Sequence, residues 1–200
     1  MLLVLASRNP GKLAEFRRLL AAHSWQLVGP DEVGLDKELP EPGPGYGDNA
    51  AAKAGAACAA TGLPALGDDS GIEVEALRGW PGPASARWMG PAAGDADRLH
   101  GLLAEVARRS PDDRRARYVA AVALSRPSAE PVVAHGSCEG MLVDPRGDGG
   151  FGYDPAFLST ELGITFGEAT AAQKDTVSHR ARAIRRLAES GVLDPQQGYR

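Results

Sequence analysis

The run Gly67-Asp68-Asp69-Ser70-Gly71, directly after the apolar stretch Leu63-Pro64-Ala65-Leu66, restricts this chain more than any other segment. Two adjacent carboxylates at the end of a short buried strand repel each other, and neither gains by leaving water. A chain that keeps them there has a cation to hold or a water to activate. Asp, Ser and Gly also build turns, so a tight turn is the other reading of the same run.

The rest of the chain can bury such a group. Its 200 residues suit one domain, or one domain with two lobes, and enough core to matter. Hydrophobic residues make up 43% and charged residues 24%, the balance of a globular protein. A formal net charge of −4 argues against a nucleic-acid partner. The two cysteines, Cys58 and Cys138, exclude a disulfide scaffold and form no CxxC pair, and read as small buried hydrophobes. No apolar run reaches the ~18 residues of a membrane span. The opening Met1-Leu2-Leu3-Val4-Leu5 is too short for a signal sequence and lacks a basic lead. A cytoplasmic chain with no membrane partner is expected.

Strands and helices alternate through the first half. Leu2–Ala6 reads as a buried strand. Asn9 then caps a helix opened by Pro10, with Leu13, Phe16, Leu19 and Leu20 as its apolar stripe. Trp25–Val28 reads as a strand, Gly29–Gly47 as a Pro/Gly loop carrying Glu41, and Asn49 to about Thr61 as an alanine-rich helix capped by Asp48. Beyond the Asp-Asp run, Ile72–Ala76 alternates like a half-exposed strand. A helix follows from Asp95 or Asp97, then two longer strands, Ala116–Leu124 and Pro131–Val143. A Gly-rich loop runs from Asp144 to Phe157, and the last helix from Ser178 to Glu189. This order predicts an α/β protein: a mixed twisted sheet flanked by helices, in one domain over residues 1–200 with a cleft between two lobes.

Four constellations carry chemistry. Ser7-Arg8-Asn9-Pro10-Gly11-Lys12 joins a strand to a helix N-terminus, a ready anion site, and puts Lys12 where a cation is unfavourable unless an anion offsets it. Ser178-His179-Arg180, with Lys174 just upstream, repeats that arrangement. Gly149-Gly150-Phe151-Gly152-Tyr153-Asp154-Pro155 combines glycines, which let backbone approach a flat ligand, with rings that can stack on it. Glu41, Asp68 and Asp69 are hard oxygen ligands with no His or Cys among them, a set suited to Mg²⁺. Each has a plainer reading as a cap, a solvated basic face, a loop or a turn. Together they describe a nucleotide site.

At this point the chain resembles, nearly end to end, the inosine triphosphate pyrophosphatase family of non-canonical purine nucleoside triphosphatases. The resemblance rests on Ser7–Lys12, Asp48-Asn49-Ala50, Asp68–Gly71, Pro81-Gly82 with Ser85-Ala86-Arg87, Gly150–Pro155 and Ser178–Arg180. It implies Mg²⁺-dependent hydrolysis of ITP, dITP and XTP to monophosphate and pyrophosphate, usually by a homodimer. It implies Asp69 as catalytic base and metal ligand, with Glu41 as a further ligand; Asp68 is the third carboxylate of the set suited to Mg²⁺. Substrate contacts would come from Ser7, Arg8, Asn9, Pro10, Gly11, Lys12, Ser70, Phe151, Gly152, Tyr153, Asp154, Lys174, His179 and Arg180. The glutamate loop departs from the family's common Glu-Glu-Thr-Gly, reading Pro40-Glu41-Pro42-Gly43 here. A nucleotide sensor without catalysis and a general metal phosphatase are the rival expectations.

Overall fold

The computed structural model describes residues 1–194. Its backbone hydrogen bonds build one six-stranded sheet in the order β2-β1-β3-β4-β5-β6, with β1 Leu2–Leu5, β2 Gln26–Val28, β3 Ala65–Val74, β4 Arg115–Ser125, β5 Val132–Leu142 and β6 Phe157–Ser159. β1 runs parallel to both β2 and β3, and β5 antiparallel to β6, so the sheet is mixed as expected. The helices among the described residues are α1 Pro10–Leu19, α2 Tyr46–Thr61, α3 Asp95–Arg109, α4 Ala171–Val177 and α5 His179–Glu189. None is long and apolar enough to cross a membrane.

The chain divides into two compact units. The first comprises residues 1–69, 120–136 and 180 onward; the second comprises 70–119 and 137–179. Two of the four boundaries cut through sequence motifs, between Asp69 and Ser70 and between His179 and Arg180. The first unit's core gathers Leu3 and Leu5 of β1, Phe16 and Leu20 from the α1 stripe, Leu66, and Ile184 and Leu187 of α5. A separate alanine layer, Ala50 and Ala54 against Ala121 and Ala123, lets α2 approach the strands closely. The contact is so tight that a Cβ on Gly67 would lie 2.1 Å from the Ala50 carbonyl oxygen. In the second unit Leu99, Leu102 and Val106 of α3 pack with Ile72, Tyr118, Phe157 and Phe166.

Three expectations need correction. The Asp-Asp run is not a turn between two short strands: β3 passes straight through it, from Ala65 to Val74. Extended backbone is compatible with Asp and Ser wherever the carboxylates find partners. Helix α2 begins at Tyr46 behind Gly45, so Asp48 lies in its first turn instead of capping it. The C-terminal helix is preceded by α4, whose Thr170 cap accepts from the Gln173 N–H while Gln173 accepts from Thr170. That Thr-x-x-Gln box was a readable start signal.

Candidate active site

Side chains alternate along a strand, so neighbouring residues point to opposite faces. Asp68 and Asp69 follow that rule and acquire different company. Asp68, with its side chain fully buried, lies 2.7 Å from Lys12 Nζ and 3.4 Å from Arg180 Nε. Arg180 Nη1 in turn donates to Glu15 Oε2 at 3.0 Å. Burial would push the Asp68 carboxyl up, but Lys12 and Arg180 outweigh it and hold the group well below the usual carboxylate range. The same burial pulls Lys12 down, against the opposing pull of Asp68.

Asp69 faces α2. Asn49 Nδ2 donates to its Oδ2 at 2.9 Å and Lys53 Nζ to its Oδ1 at 3.3 Å. Lys53 also donates to Glu41 Oε1 at 2.8 Å. Asn49 and Lys53 are four residues apart, hence on one helical face. Asn49 accepts the Gly43 N–H at 3.0 Å, which ties the glutamate loop to that face. Desolvation raises the Asp69 carboxyl, and Glu41 adds to it, against the lowering effects of Lys53 and Asn49. Asp69 is therefore a better proton acceptor than an exposed aspartate. Lys53 was not among the expected site residues. Its signal was a lysine four residues after Asn49 in an otherwise small-residue helix.

The other expected phosphate residues sit at the start of α1. Asn9 Oδ1 accepts the Lys12 N–H at 3.1 Å and Ser7 Oγ accepts the Asn9 N–H at 3.3 Å, with Pro10 and Gly11 opening the helix. Arg8 pairs with Asp31 at 3.2 Å and donates to the Leu35 carbonyl at 2.5 Å.

Among the described residues no three His, Cys, Asp or Glu side chains converge as a metal cluster. Glu41 and Asp69 nevertheless place two hard oxygens around one positive charge, the Lys53 ammonium. One or two carboxylates beside substrate phosphates are what Mg²⁺ takes, so the oxygens of Glu41 and Asp69 fit the expected ion. Asp68 is held by Lys12 and Arg180 on the opposite strand face.

The second unit supplies the remaining expected residues. Ser70 is half-buried on β3. Asp154 is buried and shared: its Oδ2 accepts from Lys174 Nζ at 2.5 Å and from the Phe151 N–H at 2.9 Å, and its Oδ1 accepts from Tyr118 at 3.1 Å. Gly150 has φ 72°, and a Cβ there would meet Asp154 Oδ2 at 2.1 Å, so this turn admits only glycine. Lys174 lies over the Phe151 ring at 4.9 Å. Gly152 N–H donates to Asp95 Oδ2 at 2.9 Å. His179 is buried, its ring parallel to Tyr118 with centroids 4.6 Å apart. Tyr153 is a core residue. Its hydroxyl donates to the Ser85 carbonyl at 2.7 Å and accepts from Trp88 Nε1 at 2.8 Å, and burial pushes its pKa up to about 12. Of the two rings expected to stack on a ligand, Phe151 is the one that keeps accessible surface.

Comparison with known proteins supplies the context for this geometry. The model of the Ham1 family matches residues 3–190. The dITP/XTP pyrophosphatase of Symbiobacterium thermophilum is 46% identical over 188 residues, covering 94% of this chain and 93% of that protein. The dITP/XTP pyrophosphatase of Mycolicibacterium paratuberculosis is 49% identical over 191 residues, covering 92% and 93%. Among solved structures, a Ham1 protein from Coxiella burnetii superposes with TM-score 0.84 at 35% identity, covering 96% of this chain and 98% of its own.

Proposed function

The chain belongs to the Ham1 family, and from that premise we propose that it hydrolyses ITP, dITP and XTP to the nucleoside monophosphate and pyrophosphate. The observation that carries the chemistry is the Asp69 carboxylate, raised by burial and fixed in place by Asn49 and Lys53. In this reading Asp69 accepts a proton from a water attacking the α-phosphorus in line, and pyrophosphate leaves. Glu41 and Asp69 would hold Mg²⁺, while Asp68, on the opposite face of β3, stays with Lys12 and Arg180; when bound, the ion supplies charge neutralisation of the triphosphate. Lys12 and the Gly11 N–H, with the Ser7 to Pro10 segment that opens α1, meet phosphate oxygens. Ser70 adds a hydroxyl contact to substrate.

The second unit's set takes the base. Phe151 stacks on the purine, carried by the loop of Gly152, Tyr153 and Asp154. Donors from Lys174 and His179 bond a 6-oxo group, while Arg180, next in the chain, stays with Asp68 and Glu15. A 6-amino group at the same edge leaves those donors unpaired, a mismatch able to discriminate by ~10⁴ or more. The reading includes a homodimer working in the cytoplasm, without nucleic-acid or membrane partners.

A panel of nucleoside triphosphates incubated with Mg²⁺ tests the proposal. Pyrophosphate and monophosphate from ITP, with ATP spared, are expected. Release of inorganic phosphate would make the chain a general phosphatase, and tight binding without turnover would make it a sensor; either overturns the reading.

A further inference from the structure

We propose that Tyr118 is a positioning residue for purine recognition, acting through Asp154 and His179; this rests on the reading above, in which those residues serve the base. Tyr118 lies on β4 and is 7% exposed, among Phe157 at 4.6 Å and Phe166 at 5.9 Å between ring centroids. A phenylalanine would satisfy that packing. A buried hydroxyl is costly unless it is bonded, and this one is spent on Asp154 Oδ1 at 3.1 Å.

The consequence is orientational. With Oδ1 held by Tyr118, Oδ2 stays between Lys174 at 2.5 Å and the Phe151 N–H at 2.9 Å. The Tyr118 ring, 6° from parallel with His179, presents a flat wall to the imidazole. One side chain thus fixes the carboxylate that aims Lys174 and lines the histidine expected to meet the 6-oxo edge. Without the hydroxyl the carboxylate can turn about its terminal torsion, which is broad and roughly two-fold. Lys174 then loses its fixed direction. Asp69 and its partners are untouched, so binding and base choice should suffer while the chemical step does not.

The test is Tyr118→Phe, with steady-state pyrophosphate release from ITP and ATP. KM for ITP should rise about tenfold with kcat within about twofold, and the ITP-to-ATP ratio of kcat/KM should fall. Asp154→Asn and the double variant complete a cycle: if Tyr118 acts through Asp154, adding Tyr118→Phe to Asp154→Asn changes KM little further. A purely structural hydroxyl would lower the melting temperature of Tyr118→Phe yet leave KM and the ITP-to-ATP ratio at wild-type values; that result, or strict additivity in the cycle, overturns the inference. If wild-type protein releases no pyrophosphate from ITP, the proposed function fails. Calorimetric titration of IMP and AMP onto wild type and Tyr118→Phe then decides the inference: weaker, less selective binding by the variant supports it. Equal affinities, or no binding by either protein, refute it.

Discussion

Replacing Asp68 by Asn keeps the shape of the side chain and removes its charge, leaving Lys12 and Arg180 without the carboxylate they share. Arg180 keeps Glu15 at 3.0 Å; Lys12 has more to lose. Breaking a buried pair in this way costs about 3–5 kcal/mol. Lys12 sets an independent ceiling, because it can release its proton. Neutralising a lysine of ordinary pKa ~10.4 at pH 7 costs about 4.6 kcal/mol, at roughly 1.4 kcal/mol per pH unit. The expected loss in Asp68→Asn is therefore about 3–4.6 kcal/mol at neutral pH, read by urea or guanidinium unfolding. Its pH dependence follows from the directions of the shifts. The Asp68 carboxyl is held low in the folded protein, so its stabilisation is complete above the unfolded value of ~3.9 and fades as the pH falls toward the folded value. The gap between wild type and variant should close in acid. In the variant, Lys12 is held below its unfolded value by burial, the unfolded chain binds the extra proton, and stability rises with pH. The gap should narrow again toward about pH 10. A neutral-pH loss below about 1 kcal/mol, or a difference flat from about pH 3 to pH 9, would refute the idea that this carboxylate neutralises buried cations.

The remaining predictions address the site and its frame. Asp69→Asn should lower turnover of ITP by at least about 100-fold while equilibrium binding of ITP stays measurable; near-normal turnover removes Asp69 from the chemistry. Tyr153→Phe leaves the Ser85 carbonyl and the Trp88 indole short of a partner and should cost about 1–3 kcal/mol in denaturant unfolding. Phe151→Ala should instead raise KM for ITP with little change in stability, and the reverse pattern would exchange the two aromatics' roles. Gly67→Ala forces a Cβ to 2.1 Å from the Ala50 carbonyl oxygen and should cost about 3 kcal/mol or more, or prevent soluble expression; a wild-type melting temperature would mean α2 does not pack this closely.

Elements with two coincident signals were legible. α1 had the Asn9 cap, Pro10 and an apolar stripe, and it forms from Pro10 to Leu19 with Asn9 as its cap. β3 looks like two strands in sequence because Asp, Ser and Gly favour turns in isolation, whereas hydrogen bonding in a central strand keeps them extended. α4 escaped because seven residues with Gln173, Lys174 and Asp175 show little apolar period, although Thr170 and Gln173 marked its start. α2 starts three residues before the expected Asn49, a start that Gly45 and Gly47 disguise as loop.

The site was legible as a set of residues but not as a wiring diagram, and the reason is strand alternation combined with distance along the chain. In sequence, Asp68 and Asp69 are neighbours whose charges repel and whose obvious remedy is one shared cation. In the fold, β3 turns them to opposite faces, and each meets charges that no local window contains. Asp68 meets Arg180, 112 residues away; Asp69 meets Lys53, 16 residues away. Mutual repulsion therefore matters less than the separate company. Two adjacent cations, Lys12 and the buried Arg180, pull one carboxyl far down, while desolvation and Glu41 push the other up. The opposite shifts give the pair a division of labour that identical side chains could not have on one face: Asp68 stays an anion that anchors α1 and α5, and Asp69 is the one poised to take a proton. Moving the pair by one residue along β3 would swap those faces, so the order of partners around the strand, more than the Asp-Asp sequence itself, decides which aspartate can act as the base.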